Sequence, residues 1–171
     1  MQALEIVRYP DPVLRQPAKP VERFDAELQE LVARMKHTMV HSDGVGLAAP
    51  QVGISLRVLV LSEDGTPEKA RALINPKVSL SGPKDRETEG CLSFPGIYAE
   101  IERPDRIRIE AVDEHGQPQV FEADGWVARI VQHEYDHLEG RLFIDRMSSA
   151  DRVRIKRDLE HLREEWQAAR A

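Results

Sequence analysis

The chain has 171 residues, 41% of them hydrophobic and 32% charged, with a formal net charge of −6. That length and apolar content suit one globular domain, 1–171, and exclude a disordered chain, while the negative balance speaks against general nucleic-acid binding. A single cysteine, Cys91, rules out an intramolecular disulfide, the longest aliphatic stretch (Val58-Leu59-Val60-Leu61) is too short for a membrane span, and Met1–Pro12 lacks the basic start and apolar centre of a signal peptide, so the expected setting is cytoplasmic and reducing.

Asp25 to His41 predicts a helix, because Leu28, Leu31, Val32, Met35 and Met39 form one apolar stripe at helical spacing behind a capping Asp25. His37 and His41 lie four apart there without a carboxylate base and read as surface residues. Gly44 to Gly53 predicts a glycine-interrupted loop leading into a strand over Leu56–Leu61. Ser62 to Ala70, charged and containing Gly65 and Pro67, predicts a turn, with strands following near Ala72–Val78 and Glu87–Ser93. Alternation over Arg106–Val112 marks a half-buried strand, and Glu114–Gln117 turns into a hairpin partner at Val120-Phe121.

Asp124 and Gly125 open a helix through Leu138, closed by Gly140. Val127, Ile130, Val131 and Leu138 leave it little polar surface, so it is expected to be central and buried, with Arg129 snorkelling out to solvent. A final helix, capped by Ser149 or Asp151, carries Val153, Ile155, Leu159, Leu162 and Trp166. Strands and helices are segregated, which gives an α+β class: antiparallel or mixed sheets around a central helix, with a long C-terminal helix.

The central helix carries His133-Glu134-Tyr135-Asp136-His137, an H-E-x-x-H pattern. Two histidines four apart share a helix face and can reach one metal ion, with Glu134 beside it to take a proton from bound water. Catalytic sites of this kind use three protein ligands and keep a fourth position open. His161 is one candidate for the third, on the charged final helix. Cys91 in Glu89-Gly90-Cys91-Leu92-Ser93 is the other; a free cysteine is usually a small buried hydrophobe, but Gly90 permits close backbone approach and the segment is polar. The small residues of Gly44–Gly53 leave room for a ligand against the backbone, and the Gln51 amide could donate to an oxyanion. That stretch lacks the Gly-Lys-Ser/Thr ending of a phosphate loop. An H-E-x-x-H protease, taking Glu160, Glu164 or Glu165 as third ligand, is one rival. A structural metal site is another, although it would need a fourth protein ligand and there is no second cysteine.

Taken together, Gly44-Val45-Gly46-Leu47-Ala48-Ala49-Pro50-Gln51, Glu89-Gly90-Cys91-Leu92-Ser93 and Gln132-His133-Glu134-Tyr135-Asp136-His137 resemble the three signature motifs of the bacterial-type peptide deformylase family, in its order and spacing. The resemblance spans most of the chain and shows no departure at the signature positions. It implies a single catalytic domain, a metallo-amidohydrolase that removes the N-formyl group from the initiator methionine of nascent polypeptides and releases formate. It implies Cys91, His133 and His137 as ligands of one divalent ion per chain, with iron(II) native and zinc, nickel or cobalt as substitutes, and water as the fourth ligand. Glu134 is then the general base, and the Gln51 side chain and Leu92 backbone N–H stabilise the oxyanion. Gly46 would meet the substrate backbone, Val45, Ile130 and His133 would line an apolar methionine slot, and Glu89 and Arg103 would form a supporting ion pair. The expected partner is the N-formylmethionyl nascent peptide, and the expected state is a monomer with no membrane association. Arg152, Arg154, Lys156 and Arg157 could dock transiently on the ribosome, but Asp151, Asp158, Glu160, Glu164 and Glu165 nearly cancel them, and a solvated helix face is the simpler expectation.

Overall fold

Five strands in sequential order form one antiparallel sheet: β1 (Gly46–Ala48), β2 (Val58–Leu61), β3 (Arg71–Cys91), β4 (Phe94–Val112) and β5 (Pro118–Asp124). Four helices accompany it in this computed structural model, which describes residues 1–171: α1 (Ala26–His41), α2 (Gly125–Leu138), α3 (Ser149–Arg154) and α4 (Lys156–Ala168). The class is α+β, with every strand pair antiparallel. No helix is long and apolar enough to cross a membrane.

The apolar run of β2 is buried at all four positions because helices cover both faces of the sheet there. Val58 and Val60 point, with Ala72 and Ile74 of β3, into a core built on Leu28, Val32, Met35 and Met39 of α1. The alternate residues Leu59 and Leu61, with Leu73, point into the core that α2 fills with Ala128, Ile130, Val131 and Leu138. The period of two along the strands thus assigns each helix its own face. Fully burying one such side chain contributes about 1.5–3 kcal/mol, so these paired cores fix α2 firmly against the sheet. Asp25 caps α1 as expected, its side chain accepting from the Leu28 N–H at 3.0 Å.

The long β3–β4 hairpin continues past these cores, with register shifts between Ser81 and Lys84 and again between Gly90 and Cys91. At the first, Gly82 takes φ 82°, and a Cβ there would lie 2.1 Å from Asp105 Oδ1, so no side chain fits. Beyond the bend, Phe94, Ile97, Ala99 and Ile101 join Tyr9, Leu14, Phe143 and Leu162 in a third core. The hairpin therefore carries Glu89 and Cys91 round to the end of α2 that bears the two histidines.

Four expectations are corrected. The strands expected near Ala72–Val78 and Glu87–Ser93 are one strand: most residues between Ser79 and Arg86 are exposed, so no alternation marks them, and pairing with β4 holds them extended. Inside the expected Gly44–Gly53 loop, Gly46–Ala48 pairs with β2, too short to carry a pattern. The long C-terminal helix is broken at Ile155 (φ −93°, ψ 0°), where that residue turns inward to 1% exposure, and Ser148 rather than Ser149 or Asp151 caps it. Arg129, expected in solvent, is 6% exposed and faces inward.

Candidate active site

α2 is buried along most of its length, including His133, Glu134, Asp136 and His137. Spacing of four stacks the His133 and His137 rings edge to face, 5.3 Å between centroids. Cys91, at the end of β3, brings its Sγ to 3.4 Å from His137 Nε2. One ligand atom from each of Cys91, His133 and His137 lies within 4.8 Å of the other two, and no other trio of His, Cys, Asp or Glu gathers this closely. The rival third ligands are elsewhere: His161 pairs with Glu165 on the exposed side of α4, and Glu160 and Glu164 are exposed there too.

Behind the trio lies a buried ionic lattice. Glu89 accepts from Arg103 Nε at 2.6 Å, Arg103 Nη2 at 2.9 Å and Arg129 Nη1 at 2.7 Å. His133 Nδ1 sits 2.8 Å from Glu89 Oε1. With Nδ1 donating to that carboxylate, Nε2 is the ring nitrogen turned toward Cys91, and loss of its proton would leave the lone pair that a metal ligand requires. Arg103 also reaches Asp136 Oδ2 at 3.0 Å, and Arg146 grips the same carboxylate with two bonds of 2.6 and 2.8 Å. The expected Glu89–Arg103 pair is therefore real, and it is the centre of a larger array.

The electrostatics divide accordingly. Burial would raise the Glu89 carboxyl, but hydrogen bonds from Arg103 and His133 bring it down to about 2. Burial also works against charge on His133, yet hydrogen bonds to Cys91 and Glu89 hold it well above the ordinary histidine value. His137 is held well below it, by burial first and then by the charges of His133 and Arg103. Burial pushes Glu134 up to about 7; the His133 charge opposes this, and Glu89 reinforces it.

Two buried atoms have no partner here: Glu134 Oε1 and His137 Nδ1. Orphaned buried polar atoms cost about 1–3 kcal/mol each and are rare unless the site uses them. A thiol and two imidazoles converging beside an unpaired carboxylate fit a divalent cation with an adjacent base, so the donor set suits the metal that the sequence motif implies.

Cys91 and His133 of the trio line a cleft of about 440 Å³. Val45, Gly46 and Gln51 line it from the β1 side, Leu92 from the β3–β4 turn, and Ile130, His133 and Glu134 from α2. Gly46 is pressed on Glu134: a Cβ there would lie 2.6 Å from Glu134 Oε2. Gln51 is 1% exposed, its Oε1 anchored by the Ala48 N–H at 2.9 Å, which aims Nε2 at Ser93 Oγ (3.3 Å) and Cys91 Sγ (3.5 Å). Every site residue expected from the sequence is thus gathered around one cleft, with His137 just beneath it. Sequence reasoning missed Arg129, Asp136 and Arg146. Arg129 left a signal, since it stands one helical turn before His133 on the same face; Arg146, outside α2, left none.

The family model described as polypeptide deformylase matches residues 3–153. The chain is 46% identical over 164 residues to the peptide deformylase of Bartonella tribocorum, covering 93% of this chain and 89% of that protein. It is 48% identical over 150 residues to the peptide deformylase of Thermotoga maritima, covering 87% and 90%. Its fold superposes with a TM-score of 0.93 on the crystal structure of the peptide deformylase from Plasmodium falciparum, at 40% identity, covering 98% of this chain and 99% of that one.

Proposed function

The chain belongs to the polypeptide deformylase family, and from that membership we propose that it is a metal-dependent amide hydrolase that removes the N-formyl group from the initiator methionine of nascent polypeptides and releases formate. One observation carries the reading: Cys91, His133 and His137 converge within 4.8 Å beside a Glu134 whose Oε1 is buried without a partner, and Cys91, His133 and Glu134 line an open cleft. Cys91 Sγ, His133 Nε2 and His137 Nε2 would hold one divalent ion. When bound, that ion supplies Lewis acidity and makes hydroxide available near neutral pH. Iron(II) is the proposed native metal, with zinc, nickel or cobalt able to occupy the same donors.

The chain's own residues do the rest. Glu134, buried and pushed up to about 7, takes the proton of the attacking water and passes it to the leaving amine. The Gln51 Nε2, already aimed at the cluster, and the Leu92 N–H donate to the oxygen that becomes negative as the formyl carbon turns tetrahedral; removing one such donor typically costs about 10²–10³ in turnover. Gly46 leaves room for the substrate backbone, while Val45, Ile130 and His133 shape the slot for the methionine side chain. Glu89 orients His133. We place the activity in a single catalytic domain that works as a cytoplasmic monomer. Arg152 donates to the Asp145 carbonyl and Arg154 to the Tyr98 carbonyl, which favours a structural role for these basic residues over ribosome docking.

The test is anaerobic formate release from formyl-Met-Ala-Ser by metal-replete protein, beside acetyl-Met-Ala-Ser and the Glu134→Ala variant. Formate from the first peptide alone, lost in the variant, is the expected result. Metal-replete wild-type protein that releases no formate overturns the reading.

A further inference from the structure

Arg129 does something the general mechanism does not use. It lies on the wall of the substrate cleft and also on the wall of an adjoining cavity of about 310 Å³, which Asp85, Pro104 and Asp105 line as well. Only Thr88, Trp126 and Arg129 line both spaces. Thr88 is exposed and Trp126 is 52% exposed, so Arg129, at 6%, is the buried part of this partition. Its guanidinium is fixed from three sides: Nη1 donates to Glu89 Oε2 at 2.7 Å and to the Ile101 carbonyl at 2.9 Å, and Nη2 to the Asp85 carbonyl at 2.9 Å. Anchors on both β3 and β4 make it rigid, unlike an arginine on a surface.

Resting on the deformylase reading, we propose that Arg129 is a specificity-determining residue, a pinned partition that sets the depth of the side-chain slot and keeps the adjoining cavity closed to substrate. A side chain of methionine's length stops short of the partition. A longer unbranched one has to displace a guanidinium held by three hydrogen bonds. A rigid wall discriminates by length more sharply than a soft apolar pocket does.

The experiment compares kcat/KM for formyl-Met-Ala-Ser with that for formyl-2-aminooctanoyl-Ala-Ser and formyl-2-aminodecanoyl-Ala-Ser, whose side chains are longer and unbranched. Wild-type enzyme should favour methionine by at least about tenfold, since the longer side chains exceed methionine's by about two and four chain atoms and a single methylene group is already worth about tenfold or more. In Arg129→Ala, which joins the two cavities, the ratio of long substrate to methionine should rise about tenfold or more. The ratio cancels any general loss of activity caused by disturbing Glu89. Arg129→Lys, which can keep one bond but not the fork, should fall between the two, and it carries the test if the alanine variant does not fold. An unchanged ratio in a folded variant overturns the proposal, and so does wild-type enzyme that hydrolyses the long substrates as readily as the methionine peptide. If wild-type enzyme releases no formate even from formyl-Met-Ala-Ser, the deformylase reading is what fails, and the proposal goes with it.

Discussion

Replacing Glu89 with glutamine removes one charge and almost no volume, and so isolates what the buried lattice contributes. The carboxylate accepts from four donors: Arg103 Nε and Arg129 Nη1 at one oxygen, Arg103 Nη2 and His133 Nδ1 at the other. A glutamine carbonyl at the first position keeps two of these, now to a neutral acceptor. Its NH2 then faces Arg103 Nη2, donor against donor, and is tolerated by His133 only if that ring moves its proton to Nε2. Arg103 and Arg129, with side chains 3% and 7% exposed, are left with Asp136 as the only remaining counter-charge, and that for Arg103 alone. Breaking a buried pair in this way costs about 3–5 kcal/mol, a large part of the roughly 5–15 kcal/mol that holds a domain folded. At this chain length, each kcal/mol lowers the melting temperature by about 2–4 °C, so Glu89→Gln should melt some ~6–20 °C below wild type. Urea unfolding should show a lower midpoint at unchanged slope. The moved proton also places an N–H where a ligand lone pair belongs, so metal affinity should fall about 10–100-fold. A stability loss under about 1 kcal/mol, as for a solvent-screened surface pair, would refute the account.

Three further outcomes follow from the same geometry. Gly46→Ala puts a methyl group 2.6 Å from Glu134 Oε2, so the carboxylate must move; kcat for formate release should drop toward the about 10²–10⁴-fold that a general base supplies, and a fully active variant would show that Glu134 has room to spare. Cys91→Ala takes away one of only three converging ligand atoms, and metal counted per chain after desalting should collapse with activity; retention of both would revive the protease alternative. Asp25→Ala, far from the cleft, deletes the cap on the Leu28 N–H and should cost about 1 kcal/mol in unfolding experiments while leaving kcat/KM alone.

Elements with local rules were legible from the chain. α1 declared itself through a stripe and a cap, and His133 and His137 through a spacing that only a helix makes useful. The middle of β3 did not, because Ser79–Arg86 is mostly solvent-exposed and is held straight by its partner across the hairpin, not by any pattern of its own. Arg129 was misread for a related reason. An arginine in an apolar helix usually extends to water, and what reverses that is the combination of Glu89 and two carbonyls from strands about 28 to 44 residues away. Ile155 likewise looks like one more apolar position in a continuous helix, until the third core draws it inward and breaks the helix there.

The site's two buried glutamates show why its cations are placed as they are. Glu89 and Glu134 both lie within reach of His133, yet the first is brought down to about 2 and the second pushed up to about 7. The difference is which of them the arginines touch. Arg103 and Arg129 bond Glu89, Arg103 and Arg146 bond Asp136, and none of the three bonds Glu134. An arginine on Glu134 would have made it another Glu89, permanently ionised and too weak a base to take a proton near neutral pH. Keeping the fixed positive charges one layer back leaves Glu134 and the Cys91 sulfur with no arginine partner, and a divalent ion on the proposed ligands would supply the positive charge there. Bound there, such an ion would lower Glu134 from the value that burial sets and favour its ionised form. The arginine lattice thus does two things at once: it fixes the carboxylate that orients His133 Nδ1, and by its reach it leaves Glu134 as the carboxylate with no arginine partner.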